Sequence, residues 1–122
     1  MVLDGSFTVH RFAADSDIPA SVFESAFYHI SRTGAELSIV CADRIGLESA
    51  QAETGWACIA VVGPLDFDLT GILAAMATPL AAANVSIFAI STFDTDYILV
   101  KADELPLARQ VLQAAGHTFG KQ

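Results

Sequence analysis

Apolar and polar positions along this chain follow two periods, and the changes of period divide it into elements. Residues 56–62 (WACIAVV) form an unbroken apolar run, as expected of a strand covered on both faces. Gly63-Pro64 stops the run, and residues 66–71 (DFDLTG) read as a loop. From Asp68 the spacing turns helical, with Leu69, Ile72, Leu73, Met76, Leu80 and Ala83 on one face and Asp68 or Thr70 as the N-cap. Pro79 is expected to bend this helix or end it early. Residues 85–92, rich in β-branched and aromatic side chains, read as a strand. Phe93-Asp94-Thr95 turns the chain, and residues 96–101 return it. Asp103 then caps a second helix that tolerates Pro106 in its first turn. Leu105, Ala108, Leu112 and Ala115 form its apolar stripe, and Gly116 stops it. A short strand at 117–119 completes β-α-β-β-α-β, the ferredoxin-like order.

The first half follows the same plan in eroded form. Residues 6–12 read as a strand, and 18–23 suffice for a turn or two of helix. Residues 26–32 and 36–41 make a hairpin through Thr33-Gly34, and 43–55 form a polar linker in place of the second helix. Ile30, Ser31, Glu36, Leu37, Ile39, Val40, Ala42 and Asp43 match Ile90, Ser91, Asp96, Tyr97, Leu99, Val100, Ala102 and Asp103 at an offset of 60. The expected fold is α+β: tandem ferredoxin-like units, antiparallel sheets with helices on one face, a degenerate unit at 1–55 and an intact one at 56–122.

Composition narrows the function. With 53% apolar residues the 122-residue chain can bury a core, and its net charge of −8 includes only 6 scattered basic residues. Binding to nucleic acid or to an anionic membrane by charge is therefore not expected. No secretory leader is visible, and the longest apolar stretch, residues 71–83, is too short to span a bilayer. Together with only two cysteines, Cys41 and Cys58, this points to a cytoplasmic protein. Asn84-Val85-Ser86 matches a glycosylation sequon by chance. His10, His29 and His117 lack paired metal spacing and read as surface or interface residues. Trp56 reads as a packing anchor.

The segments 56–63, 69–72, 79–81, 84–87 and 90–100, above all Ser91-Thr92-Phe93 with Asp96-Tyr97-Ile98-Leu99-Val100, resemble the ACT domain family. The likeness is to the subtype found in eukaryotic cytosolic arginine sensors and in small two-unit bacterial proteins. Residues 27–33 and 36–40 extend it into the first half. The resemblance implies binding of a small ligand, usually an amino acid, between ACT units, with no catalysis, cofactor or metal. Asp66, Phe67, Asp68, Leu69, Thr70 and Gly71 with Thr92, Phe93 and Asp96 would form one wall, and Ser86 and Ile87 of a neighbouring unit the other. With one intact unit per chain, a homodimer through the C-terminal units is expected.

The residues themselves agree with such a site. A loop entering a helix exposes backbone N–H groups that accept a carboxylate, and Gly71 permits close approach. Thr92, Phe93 and Asp96 offer a hydroxyl, an aromatic wall and a carboxylate to an ammonium group. Asp66, Asp68, Asp94 and Asp96 would favour a cationic side chain.

Each also has a plainer role: Asp68 and Thr70 as caps, Asp94 as a turn residue, Asp96 as a solvated strand end, Phe93 as core, Ser86 as an ordinary strand hydroxyl. The acidic group has no EF-hand spacing for Ca²⁺. No nucleophile-and-base pattern around Cys41 or an Asp marks an enzyme. The alternative function is a protein-interaction module with a vestigial pocket.

Overall fold

The computed structural model describes residues 1–61, 71–117 and 119, and of Ile72 only the backbone. The chain divides into two compact units, Gly5–Trp56 and Met1–Asp4 with Ala57–Gln122.

The first unit is built on β1 (Phe7–Phe12), β2 (His29–Arg32), β3 (Leu37–Ala42) and the opening of β4 (Gln51–Ala60). These strands are antiparallel in the order β2-β3-β1-β4. A 3-10 turn, Ala20–Glu24, stands where the stunted helix was expected. Its Val22 packs with Leu37, Ile39 and Cys41 in a small core.

The span read as a linker is largely structured. A 3-10 turn, Asp43–Ile45, is followed by β4, which begins at Gln51 instead of Trp56. Its polar opening carries no buried face for periodicity to reveal. What makes it a strand is pairing: Arg11↔Gln51, His10↔Ala52, Val9↔Glu53, then Phe7↔Trp56 across a register shift. Gly55 lies in that shift at φ +75°, a conformation that costs other residues about 1–2 kcal/mol.

The second unit is β-α-β-β-α: the end of β4, α1 (Ile72–Ala82), β5 (Ile87–Ser91), β6 (Asp96–Lys101) and α2 (Leu105–Ala114). Its strand order β4-β6-β5 is ferredoxin-like, and the fold class is α+β as expected. The strand expected at 117–119 includes Thr118, which lies outside the described residues. Val2 bridges Ile59 in antiparallel sense, with Leu3 N–H on the Cys58 carbonyl at 2.9 Å and Ala60 N–H on that of Met1 at 2.7 Å.

Both helices cover one face of this sheet. Met76 and Leu80 of α1 and Ala108 and Leu112 of α2 share a core with Ala57, Ile59, Ile98 and Val100. Full burial of Leu80, Ile98 and Leu112 is worth about 1.5–3 kcal/mol for each side chain. Ala115, expected on the stripe, is exposed, and Val111 packs there instead.

The helix ends differ from the expected caps. The N-cap of α1 is Gly71, not Asp68 or Thr70, and carries no side-chain hydrogen bond. Asp103 lies within a 3-10 turn, Ala102–Glu104, and the N-cap of α2 is Glu104. The 3-10 turn tightens the entry and displaces the cap by one residue.

Pro79 does not end α1, which continues to Ala82. Both helices close in Schellman motifs. Val85 N–H reaches the Leu80 carbonyl (2.9 Å) and Asn84 N–H that of Ala81 (3.0 Å). Likewise, His117 N–H reaches Leu112 (3.0 Å) and Gly116 N–H reaches Gln113 (3.0 Å). Asn84, met in the sequence as a chance sequon, is the left-handed residue of the first motif at φ 61°.

The hairpins of the two units match one residue short of the sequence offset of 60. Arg32↔Leu37 closes one, and Ser91↔Asp96 closes the other. The structural counterpart of Asp96 is therefore Leu37, not Glu36. Turn hydrogen bonds and strand register set the correspondence, whereas residue identity had suggested the other alignment.

Candidate functional site

The β5–β6 turn is held by one threonine. Thr92 N–H donates to the Thr95 carbonyl at 2.9 Å. Its hydroxyl donates to the same carbonyl (2.9 Å) and accepts Thr95 N–H (3.2 Å). The hydroxyl read as a ligand contact is thus already a turn lock. Phe93 at the tip is 76% exposed, so it is not core. Asp94 is exposed and Asp96 half-buried. The Asp96 carbonyl accepts Val61 N–H at 2.9 Å, fixing the start of β6 to the end of β4.

Topology puts the start of α1 at this same end of the unit. The helix follows β4 in the chain, returns along the sheet, and delivers the chain through Asn84 to the far end of β5. Gly71 opens it at φ +80°, and among the described residues nothing lies within 4 Å of where a Cβ would stand. Glycine is required there by backbone conformation. Asp66, Phe67, Asp68, Leu69 and Thr70 lie outside the described residues.

Thr92, Phe93 and Asp96 therefore stand together at one end of the β5–β6 hairpin. Ser86 (exposed) and Ile87 (half-buried, against the core) stand at the other, where Ile87 pairs with Val100. The length of β5 separates them by roughly 13 Å at the usual rise per residue. Within one chain the two sets do not share a pocket.

The first unit holds a polar cluster that sequence reading missed. The Ser6 and Thr8 hydroxyls donate to the two oxygens of Asp43, and the Gly55 N–H adds a third bond. Burial pushes the Asp43 carboxyl up, but these bonds and the nearby His10 outweigh it and hold it below its ordinary value. His10, expected at the surface, is buried, with Nδ1 2.8 Å from the Ser49 hydroxyl, which in turn donates to the Gln51 carbonyl at 3.1 Å. Burial pushes its pKa down against the pull of Asp43. The signal was Ser6-x-Thr8-x-His10, a period-2 polar face on a strand. The Asp43 carboxylate, the Ser6 and Thr8 hydroxyls and His10 Nδ1 all bond within the unit, which makes the cluster a brace.

Cations are similarly engaged. Arg11 donates to the Ala35 carbonyl (3.2 Å), Arg32 to those of Ala14 and Ser16, and Arg44 to that of Glu24 (3.0 Å). Arg109 lies 4.7 Å from the centre of the Phe119 ring. Cys41 and Cys58 are buried free thiols. Burial pushes both up, Cys58 to about 12, which makes them poor nucleophiles. Among the described residues, no three His, Cys, Asp or Glu side chains gather to hold a metal ion. No described helix is long and apolar enough to cross a membrane.

The family model of the ACT domain matches residues 51–114, the span from β4 to the end of α2. This chain belongs to the ACT domain family. A second family model, of an N-terminal domain, matches residues 5–46. The cytosolic arginine sensor for mTORC1 subunit 1 of Pongo abelii is 34% identical over 125 residues, covering 92% of this chain and 37% of that protein. The ACT chain thus spans little more than a third of that relative. An Agobacterium tumefaciens protein of known crystal structure is 38% identical with a TM-score of 0.89, over 96% of this chain and 87% of that one. The regulatory subunit of Thermus thermophilus aspartate kinase shares the fold, with a TM-score of 0.66 at 12% identity over 96% of each chain.

Proposed function

We infer that this ACT protein is a non-catalytic regulatory sensor that binds a free amino acid at an interface between ACT units. The observation that carries the reading is the locked turn that carries exposed Phe93 and half-buried Asp96, at the end of the unit where α1 begins. An α-carboxylate would meet the backbone N–H groups at the start of α1, with the helix dipole behind them. The ammonium group would meet Asp96, and Phe93 would cover the aliphatic part. Asp66, Phe67, Asp68, Leu69, Thr70 and Gly71 would complete this wall.

The second wall would come from Ser86 and Ile87 of another copy, because within one chain they lie at the far end of β5. The assembly is then a homodimer through the C-terminal units. The N-terminal unit serves as a degenerate ACT-like unit, and the protein works in the cytoplasm. A cationic side chain is favoured. Asp66, Asp68, Asp94 and Asp96 would draw it by charge. The arginine-sensor relative supports the same class of ligand.

Thermal-shift screening of the proteinogenic amino acids tests this. A ligand at about 100 times its Kd adds about 2.7 kcal/mol of stability. Arginine or lysine is expected to raise the melting temperature, and the absence of any response at millimolar concentration contradicts the reading.

A further inference from the structure

Proline within a helix removes one donor and pushes aside the carbonyl four residues earlier. In α1 that proline is Pro79 and the carbonyl is that of Ala75. His117 Nε2 lies 3.1 Å from this oxygen and donates to it. The imidazole arrives from the Schellman turn that closes α2, where His117 N–H bonds the Leu112 carbonyl. Two residues on, Phe119 packs against the common core beneath Arg109. His117 and Phe119 are thus both engaged, and His117 supplies the donor that Pro79 lacks.

We propose that His117 is a positioning residue for the amino-acid site: it ties the early turns of α1 to the end of α2 and so fixes the helix end that receives the ligand carboxylate. The proposal rests on the reading above for the ligand. Its hydrogen bond is independent of that reading. Pro79 leaves that acceptor without its helical donor, so His117 and Pro79 are expected to be energetically coupled. With Pro79→Ala the backbone N–H returns to the Ala75 carbonyl, and the imidazole becomes redundant.

Hydrogen exchange of the Met76, Ala77 and Leu80 amides, together with calorimetric titration of L-arginine, tests both halves. His117→Ala is expected to speed exchange about fivefold, the factor that corresponds to a net hydrogen bond of about 1 kcal/mol. His117→Gln, which keeps a donor at the Nε2 position, restores the wild-type rate. In the Pro79→Ala background, His117→Ala changes nothing. L-Arginine binding is expected to weaken several-fold in His117→Ala and to recover in His117→Gln. An unchanged exchange rate, or the same acceleration in both backgrounds, overturns the hydrogen-bond assignment. Faster exchange with undiminished binding overturns the positioning role. If the wild-type protein gives no heat with L-arginine, the ligand reading fails and the positioning role with it, while the exchange data still decide the coupling.

Discussion

The Thr92 hydroxyl both donates to and accepts from Thr95, at 2.9 and 3.2 Å, and that pair of bonds shapes the turn on which Phe93 and Asp96 are displayed. A short polar side chain bonding its own backbone fixes a turn without help from the core. Thr92→Ala removes both bonds and is expected to cost about 1 kcal/mol in a urea titration. It should also weaken ligand binding, because the turn loses its shape. Thr92→Ser keeps the hydroxyl and should preserve both properties. Equal losses in the two variants would mean that the methyl group, not the hydroxyl, matters.

Asp43 makes the N-terminal unit acid-sensitive. Its carboxyl is held below the ordinary aspartate value despite burial, by Ser6, Thr8, Gly55 and His10. A depressed carboxylate contributes stability that is full above the unfolded pKa and lost as pH falls through the folded one. Asp43→Ala also strands the buried Thr8 hydroxyl, and should cost about 2–3 kcal/mol at neutral pH. The penalty should shrink in acid. Chemical denaturation at a series of pH values from 7 downward reads both effects.

His10 acts in a higher pH window. Burial holds its pKa below 6.5, so the unfolded chain binds the proton more readily. Stability is therefore expected to fall as pH drops through about 6.5 and below. His10→Asn keeps a polar atom near the Nδ1 position for Ser49 and removes the titration. The slope of stability between pH 7.5 and 5.5 should flatten in that variant. A slope identical to wild type would assign the effect elsewhere.

Gly71 stands at φ +80°, and among the described residues nothing lies within 4 Å of the missing Cβ. Gly71→Ala should cost about 1–2 kcal/mol of stability through backbone strain. Asn, which tolerates the left-handed region, should cost less. A shift in the denaturant midpoint at constant slope is the expected signature, since the folded surface is unchanged.

Much of the C-terminal unit could be read directly, because its strands and helices each carry a buried face. The periodicities around Met76, Leu80, Ala108 and Leu112 point at the core these residues form. Gly116 lies at the stop expected of it, the left-handed position after α2. The N-terminal unit hid more. Residues 51–55 become strand only because β1 is there to pair with them, and no local pattern announces a tertiary partner. Asp43 reads as the start of a polar linker and His10 as a surface or interface residue because their compensating partners are distant in sequence. At the candidate site the turn at 92–96 was visible, but Thr92 was credited to a ligand when its hydroxyl closes the turn. The cap of α1 was misplaced because Asp68 and Thr70 are good capping residues, whereas Gly71 is selected by conformation. His117 carries no signal, since its acceptor lies in another helix, 42 residues away in sequence.

The central claim is that an amino acid binds against the Thr92–Asp96 turn. Isothermal titration of the wild-type protein and of Asp96→Ala with L-arginine tests it most directly. The account predicts saturable binding to the wild type, lost or weakened at least tenfold in Asp96→Ala, the factor of about 1.4 kcal/mol or more expected for a charged hydrogen bond, with the variant still cooperatively folded. Binding of equal strength to both proteins would contradict it.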